Sequence, residues 1–421
     1  MSTNALSHLP PPSGKRIAVH VKPAAERALR QGHPWVFDQA IRKQRSPQGY
    51  TAQPGDLAVI FDSKNRFLAV GLYDPDSPIR VKVLQHRDQA AINRAWFTDT
   101  LRAAHDRRQP LAHDPATNAY RLVHGENDHL PGLIVDRYAN TWVMKLYTAA
   151  WLPHLPDVIA GLRRVQPFER LVLRASRDLV AQIAPYGLAD GQVLIGDDLA
   201  GPVRFQENGL HFAADVAHGH KTGFFFDQRD NRAQVRAYAA TLPDAPRVLD
   251  VFAYSGGFSV YAAAGGAQAV TSLDASAPAL EAAQANFALN QHDPNVRATA
   301  HHTITGDAFA ELERLHAARQ TFDMVIVDPP SFAKSAAEVD RALAAYTRLT
   351  CHALAVLRPG GTFVMASCSS RIAADVFFAT ITEAAAQHRP LTELQRTGHA
   401  LDHPIGFPEG AYLKCLFAVA P

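Results

Sequence analysis

The chain has 421 residues, 47% of them hydrophobic and 19% charged, with a formal net charge of +2. That composition excludes a disordered or collagen-like chain and provides for several packed cores, so two to four domains are expected. Three cysteines, Cys351, Cys368 and Cys415, form neither a disulfide framework nor a metal-binding spacing, which favours a reducing compartment. The first fifteen residues, MSTNALSHLPPPSGK, lack the apolar segment of a secretory signal. No apolar run approaches the roughly 18 residues of a membrane helix. The expectation is a soluble, cytoplasmic protein with no membrane or metal partner. Charge is unevenly placed: residues 1–110 hold 17 Lys and Arg against 9 Asp and Glu, and the remainder holds 25 against 31. Such asymmetry suits a polyanion partner for the amino-terminal part, although a solvated basic surface gives the same count.

In chain order, residues 1–16 read as a disordered tail. Residues 17–90 read as short strands separated by turns, IAVHV, DLAVIFD, FLAVGLY and IRVKVL, with a helix at Pro23 to Arg30. Arg42, Lys43, Arg45, Lys64, Arg66, Arg80 and Lys82 are candidate phosphate contacts. Trp35, Phe37 and Tyr73 are candidate stacking residues, with core packing the favoured reading for Trp35. Residues 91–108 read as a helix with an apolar stripe of Ile92, Ala95, Trp96 and Leu101. Residues 118–195 follow as an α+β segment, with LPGLIVDRY and TWVMKLY flanking a turn at Ala139-Asn140 and a helix over Asp157 to Arg164.

From Arg247 onward strands and helices alternate, which implies a parallel, doubly wound sheet. RVLDVFAYSGGFSVYAAAGGAQAVTSLDAS, Arg247 to Ser276, reads as strand, glycine loop, helix and strand, ending in an acid. Gly256 and Gly257 let the backbone turn and approach a ligand closely. Asp274, at a strand end, is placed to accept both hydroxyls of a ribose. In such sheets ligands bind at the carboxyl ends of the strands. The dinucleotide fingerprint G-x-G-x-x-G is absent, so a cofactor with a ribose and an adenine but no phosphate fits better, and S-adenosyl-L-methionine is that cofactor. TGDAF places Asp307 at a helix start, where it is a candidate acceptor for the adenine amino group. FDMVIVDPPSF runs a strand into Asp328, Pro329 and Pro330, a rigid turn. GGTFVMASCSS is a strand ending in Ser367, Cys368 and Ser369.

Asp250 with the Gly256-Gly257 loop, Asp274, Asp307, DPPSF and SCSS resemble, in order, the motif series of class I methyltransferases. GHPWVF (Gly32 to Phe37), GLYDPDSPIRVKVL (Gly71 to Leu84), RLVHGENDHLPGLIVDRY (Arg121 to Tyr138), HKTGFFFDQRDNR (His220 to Arg232) and FPEGAYLK (Phe407 to Lys414) narrow the resemblance. The chain is similar, from about Ile17 to its end, to the bacterial large-subunit (23S) ribosomal RNA methyltransferase I family. The resemblance implies an α/β fold class. It comprises a PUA β-barrel over 17–90, a linker helix and small α+β middle domain over 91–200, and a Rossmann-like class I methyltransferase domain over 201–421. It implies large-subunit ribosomal RNA as partner and leaves a homodimer open.

The resemblance also distributes roles. Asp250, Phe252, Tyr254, Ser255, Gly256, Gly257, Asp274, Ala275, Asp307, Ala308, Asp328 and Gln228 are the expected cofactor residues. Pro329, Pro330, Phe332 and Arg229 are the expected substrate contacts. Cytosine carbon 5 is a poor nucleophile. Addition of a thiolate to carbon 6 makes it enamine-like, which is covalent catalysis by an activated cysteine. A cysteine after an apolar strand is usually just buried, but the strand-end position and the resemblance make Cys368 the expected nucleophile, with Asp328 beside it at the base. Cys351 falls in a helix and Cys415 in the terminal strand, so neither suits the role. Ser331 stands where many cytosine methyltransferases carry a second cysteine, and the base that removes the carbon 5 proton is not identified. Target extrusion is expected, because a paired base cannot reach a recessed thiol. The competing readings are methylation of a guanine nitrogen, a ribosome-assembly protein that binds RNA without turnover, and, least favoured, a dinucleotide oxidoreductase.

Overall fold

A computed structural model describes residues 5–243, 245–333 and 335–421. The chain divides into two compact units, one of Met1–Phe205, Ala214–Phe224 and Leu401–Pro408, the other of Gln206–Ala213, Phe225–Ala400 and Glu409–Pro421.

The first unit opens with strands β1 (Arg16–Val21), β2 (Trp35–Phe37), β3 (Ile41–Arg45), β4 (Leu57–Phe61), β5 (Phe67–Tyr73) and β6 (Ile79–His86), with helix α1 (Pro23–Arg30) between the first two. They form one six-stranded sheet in the order β2-β6-β5-β4-β1-β3, in which only β1 and β4 run parallel among the pairings given. Helices α2 (Arg94–Arg107) and α3 (Gln109–Ala112) lead to β7 (Ala119–His124), β8 (Leu133–Tyr138), β9 (Thr141–Leu146), α4 (Leu155–Val165), β10 (Arg170–Ala175), α5 (Arg177–Ile183) and β11 (Val193–Ile195). These strands make a five-stranded sheet, β11-β10-β9-β8-β7. Leu57, Val70, Leu72 and Leu84 from the first sheet share a core with Phe97, Trp142, Trp151 and Leu173.

Several expectations change here. Residues 1–4 of the expected tail lie outside the described residues, but Ala5–His8 forms a 3-10 turn and Leu9 joins the core. The buried face of α2 is Phe97, Leu101 and Ala104, with Ala95 exposed. The helix starts at Asn93, which caps the Trp96 amide, so the phase of the stripe is set by Phe97. Tyr73 is buried, its hydroxyl bonded to Gln44, and is not a surface stacking residue. Lys82 is also buried, paired with Asp74 at 3.0 Å, and is no phosphate contact. Arg42, Lys43 and Arg45 stay exposed along β3.

The string RLVHGENDHLPGLIVDRY acquires an architectural role. Arg108 is fully buried and forms a two-pronged pair with Asp128 at 2.8 and 2.7 Å. Arg121 pairs in the same way with Asp136 at 2.8 and 2.9 Å, and Thr222 donates to the same carboxylate. Asp402 accepts the Arg121 amide and its carbonyl takes Arg108. Each buried charge is thus matched, as burial demands.

Strands β12 (Val203–Glu207) and β13 (Leu210–Ala214) pair as a separate two-stranded sheet. The second unit then continues through α6 (Arg229–Ala239), β14 (Arg247–Val251), α7 (Gly257–Ala264), β15 (Ala269–Asp274), α8 (Ala277–Leu289), α9 (Pro294–Ala298), β16 (Ala300–Thr305), α10 (Ala308–Ala317), β17 (Phe322–Val327), α11 (Val339–Val356), β18 (Leu357–Ser367), α12 (Ala374–Ala386), β19 (Thr392–Thr397) and β20 (Lys414–Ala420). Its seven-stranded sheet has the order β16-β15-β14-β17-β18-β20-β19. β14 to β18 run parallel, and β20 inserts antiparallel beside β18. The apolar runs of β14, β17 and β18 are buried because helices cover both faces of a parallel sheet. The order reverses between β14 and β17, so a crevice is expected at their carboxyl ends.

Candidate functional site

The carboxyl ends of β14 to β18 carry the residues singled out by sequence. After β14 the backbone turns through three left-handed positions, Phe252 (φ 66°), Tyr254 (φ 48°) and Gly256 (φ 75°). Two non-glycine residues in that region are unusual and store strain. The turn is pinned from several sides. The Phe252 and Ala253 amides donate to the Leu273 carbonyl at 2.9 and 3.1 Å, and Asn286 holds the Ser255 carbonyl at 2.9 Å. A side chain at Gly256 would meet the Ala283 Cβ at 2.8 Å. Gly256 is the N-cap of α7 and offers no side-chain cap, so the first helix amides of Gly257 and its neighbours are left to other acceptors.

Asp274 closes β15. Its two carboxylate oxygens accept the amides of Tyr254 and Ser276, both at 2.9 Å. These bonds fix the plane of the carboxylate and leave it lone pairs for further donors. Ala275 beside it is exposed. Tyr254 stands edge-on to Phe225 with centroids 5.2 Å apart. Asp307 caps α10, one oxygen accepting from Phe309 and Ala310 at 3.1 Å, while Ala308 is buried in the core.

Asp250, an expected cofactor residue, lies in the interior of the sheet end. It is fully buried under the turn, accepts the Ser259 hydroxyl at 2.6 Å, and keeps one carboxylate oxygen without a partner. Burial lifts its pKa to about 7, with hydrogen bonds from Ser259 opposing and the Asp274 charge adding.

Beyond β17 lies the second half of the site. Asp328 follows the strand directly, Pro329 is buried and Pro330 exposed. Phe332 packs against the core and tilts over Tyr346 at 5.3 Å. Cys368 is the first residue past β18 and is half-buried, between fully buried Ser367 and Ser369. Cys351 sits in α11, and Cys415 is buried in β20.

Two expected residues have other settings. Arg229 is 2% exposed and paired with Glu207 at 3.4 Å. Glu207 also takes a two-pronged pair from Arg232 at 2.8 Å, so Arg229 belongs to an internal charge cluster and does not present itself to RNA. Gln228 is buried at the start of α6 and accepts from Asn231.

Two residues absent from the sequence reading belong here. Tyr346 donates or accepts at Ser367 across 2.8 Å, and burial pushes its pKa up to about 12, so it stays protonated. Lys414, the cross-strand partner of Ser367, is 2% exposed. No apolar periodicity marks Tyr346 as polar in role, and Lys414 was visible only as the last letter of FPEGAYLK.

Comparison with known proteins identifies the family. A family model described as S-adenosylmethionine-dependent methyltransferase matches residues 121–417, and a PUA-like domain model matches 19–86. A Deinococcus radiodurans protein named ribosomal RNA large subunit methyltransferase is 44% identical over 413 residues, covering 97% of this chain and 98% of that one. An Alteromonas mediterranea protein named ribosomal RNA large subunit methyltransferase I is 34% identical over 401 residues, covering 94% and 97%. A solved Streptococcus mutans chain assigned as a SAM-dependent methyltransferase superposes with a TM-score of 0.79 at 21% identity, over 96% of this chain and all of that one. Another solved chain, a methyltransferase by assignment and complexed with SAH, gives a TM-score of 0.78 at 21% identity, with 96% of this chain covered. At that identity the two structures establish the fold. By its family model and its end-to-end relatives, the chain belongs to the large-subunit ribosomal RNA methyltransferase I family of S-adenosylmethionine-dependent methyltransferases.

Proposed function

We propose that this protein methylates carbon 5 of a cytosine in large-subunit ribosomal RNA, with Cys368 as a transient covalent nucleophile. The observation that carries the proposal is the position of Cys368. It follows β18 directly, on the same strand-end edge as the Gly256 turn, Asp274, Asp307 and Asp328. A thiol buried deep in the sheet, like Cys415, would have no access to a base.

The residues at the first half of that edge fit S-adenosylmethionine. Asp274 has a fixed carboxylate for vicinal ribose hydroxyls. The buried, half-partnered Asp250 carboxyl favours a cationic ligand above it, and Asp307 retains an oxygen outside the cap. When bound, the cofactor supplies an electrophilic methyl group.

At the other half, the Cys368 thiolate adds to carbon 6 of an extruded cytosine, and carbon 5 becomes nucleophilic enough to take the methyl group. Asp328 is placed to hold the ring nitrogen or amino group. Loss of the carbon 5 proton and elimination of the Cys368 thiolate then restore the aromatic ring and free the enzyme. Exposed Arg42, Lys43 and Arg45 would hold flanking phosphates, giving a salt-dependent affinity.

The test is methylation of unmodified large-subunit ribosomal RNA with labelled S-adenosylmethionine, wild type beside Cys368→Ala, mapped by bisulfite sequencing. A single protected cytosine, lost in the variant, is expected. Label that persists in the variant, or maps to a guanine, would move the reaction to nitrogen chemistry, and no label at all would favour a binding protein.

A further inference from the structure

Lys414 is a buried charge at the strand-end edge that the reaction proposed above does not use. It lies at the start of β20, directly across from Ser367 on β18, one residue before Cys368. Its ammonium donates to the carbonyls of Ser369, of Ile372 at 2.7 Å and of Tyr412 at 3.0 Å. Three carbonyls consume all three N–H donors of an ammonium. A neutral amine has only two, so this cage selects the charged form. Burial opposes it and pushes the Lys414 pKa down to about 8, and a negative charge on Cys368 pushes it back up. A buried lysine side chain is costly unless it is fully hydrogen-bonded, and here three main-chain carbonyls supply those bonds.

Resting on the reading of Cys368 as nucleophile, we propose that Lys414 is its positioning residue. Its carbonyl bonds clamp the Ser369–Ile372 loop that follows the thiol. Its fixed positive charge favours the thiolate of Cys368, the thiol proton leaving to solvent. Cationic neighbours are a general means of activating cysteine. The other groups around Cys368 do not supply this charge. Tyr346 from α11 is a neutral hydroxyl with its pKa pushed up to about 12. Asp328 past β17 is an acid and would oppose a thiolate. Arg371, on the loop itself, is exposed. The same cage makes Lys414 unsuitable as the base for the carbon 5 proton, since an ammonium holding three carbonyls has no lone pair to accept one.

The experiment is the pH dependence of Cys368 alkylation by iodoacetamide in the apo-protein, resolved from Cys351 and Cys415 by peptide mass spectrometry. It is run on wild type, Lys414→Met, Lys414→Gln and Lys414→Arg, with melting temperature and cofactor affinity as controls for folding. Loss of the charge should raise the alkylation midpoint by about one pH unit and slow labelling at pH 7 about tenfold, with Arg restoring most of both. An unmoved midpoint in Met and Gln variants that still bind cofactor would overturn the proposal. Should Met fail to fold, the contrast between Gln and Arg makes the same decision. The readout needs no RNA, so the two readings fail separately. A midpoint that follows Lys414 while Cys368→Ala still methylates RNA would sink the nucleophile and keep the coupling. An unmoved midpoint with an inactive Cys368→Ala would do the reverse.

Discussion

Asp250 makes the sharpest energetic test of the site. Its carboxyl has a usual pKa of 3.8, which burial beneath the Gly256 turn raises to about 7. The unfolded chain therefore releases this proton near pH 4, and the folded protein keeps it until near pH 7. Stability from this group is fully present below pH 3.8 and is lost progressively as pH rises through the folded value. A shift of about 3 units amounts to about 4 kcal/mol at 1.36 kcal/mol per unit, of which about 3 kcal/mol is lost between pH 5 and pH 8. Asp250→Asn removes the titration but keeps an oxygen to accept from Ser259. Relative to wild type, the apo-variant should gain about 3 kcal/mol on moving from pH 5 to pH 8. The measurement is urea unfolding of both apo-proteins across that range, where effects of all other groups cancel in the difference. In wild type, affinity for S-adenosylmethionine should also rise through pH 7, and the variant should lack that step. Parallel stability profiles for the two proteins would refute the reasoning, because they would mean that Asp250 is ionised throughout.

Gly256→Ala should lower both thermal stability and cofactor affinity: the left-handed backbone costs about 1–2 kcal/mol for any other residue, and the new Cβ meets Ala283 at 2.8 Å. Calorimetric titration of S-adenosylhomocysteine checks the second effect. Asp274→Ala should weaken cofactor binding about 10- to 100-fold, the value of hydrogen bonds to one charged acceptor, with a smaller change in melting temperature. Arg121→Met should cost about 3–5 kcal/mol in denaturant unfolding, because Asp136 is left as a buried charge without its partner. Arg137→Met, on the next residue but only partly buried, should cost far less.

What the sequence disclosed and what it hid follow from where each residue finds its partner. The parallel strands were legible because their apolar runs are buried on both faces, and the strand ends, together with the family resemblance, then singled out Asp274, Asp328 and Cys368. Edge strands were not legible: β3 reads IRKQR and β19 reads TELQRT, and neither has an apolar face to declare a period. Charged residues in sequence read as surface, so Lys82 and Arg229 were expected to meet RNA. Their acids, Asp74 and Glu207, are supplied by tertiary structure. Lys414 was missed for a deeper reason. Its partners are main-chain carbonyls, which every residue possesses and which no motif records. Asp250 falls in the strand read from the sequence, but its depth depends on how the loop after β14 closes over it.

The proposed reaction passes through a covalent bond between Cys368 and a cytosine. RNA transcribed with 5-fluorocytidine has no carbon 5 proton to lose, so an adduct that has accepted its methyl group cannot be eliminated. Incubation of wild-type protein with such large-subunit RNA and S-adenosylmethionine should give a denaturation-resistant complex that requires the cofactor. Digestion should place the link on Cys368, and Cys368→Ala should form none. An enzyme that methylates ordinary RNA but yields no complex, or one linked through another residue, would contradict the proposed mechanism.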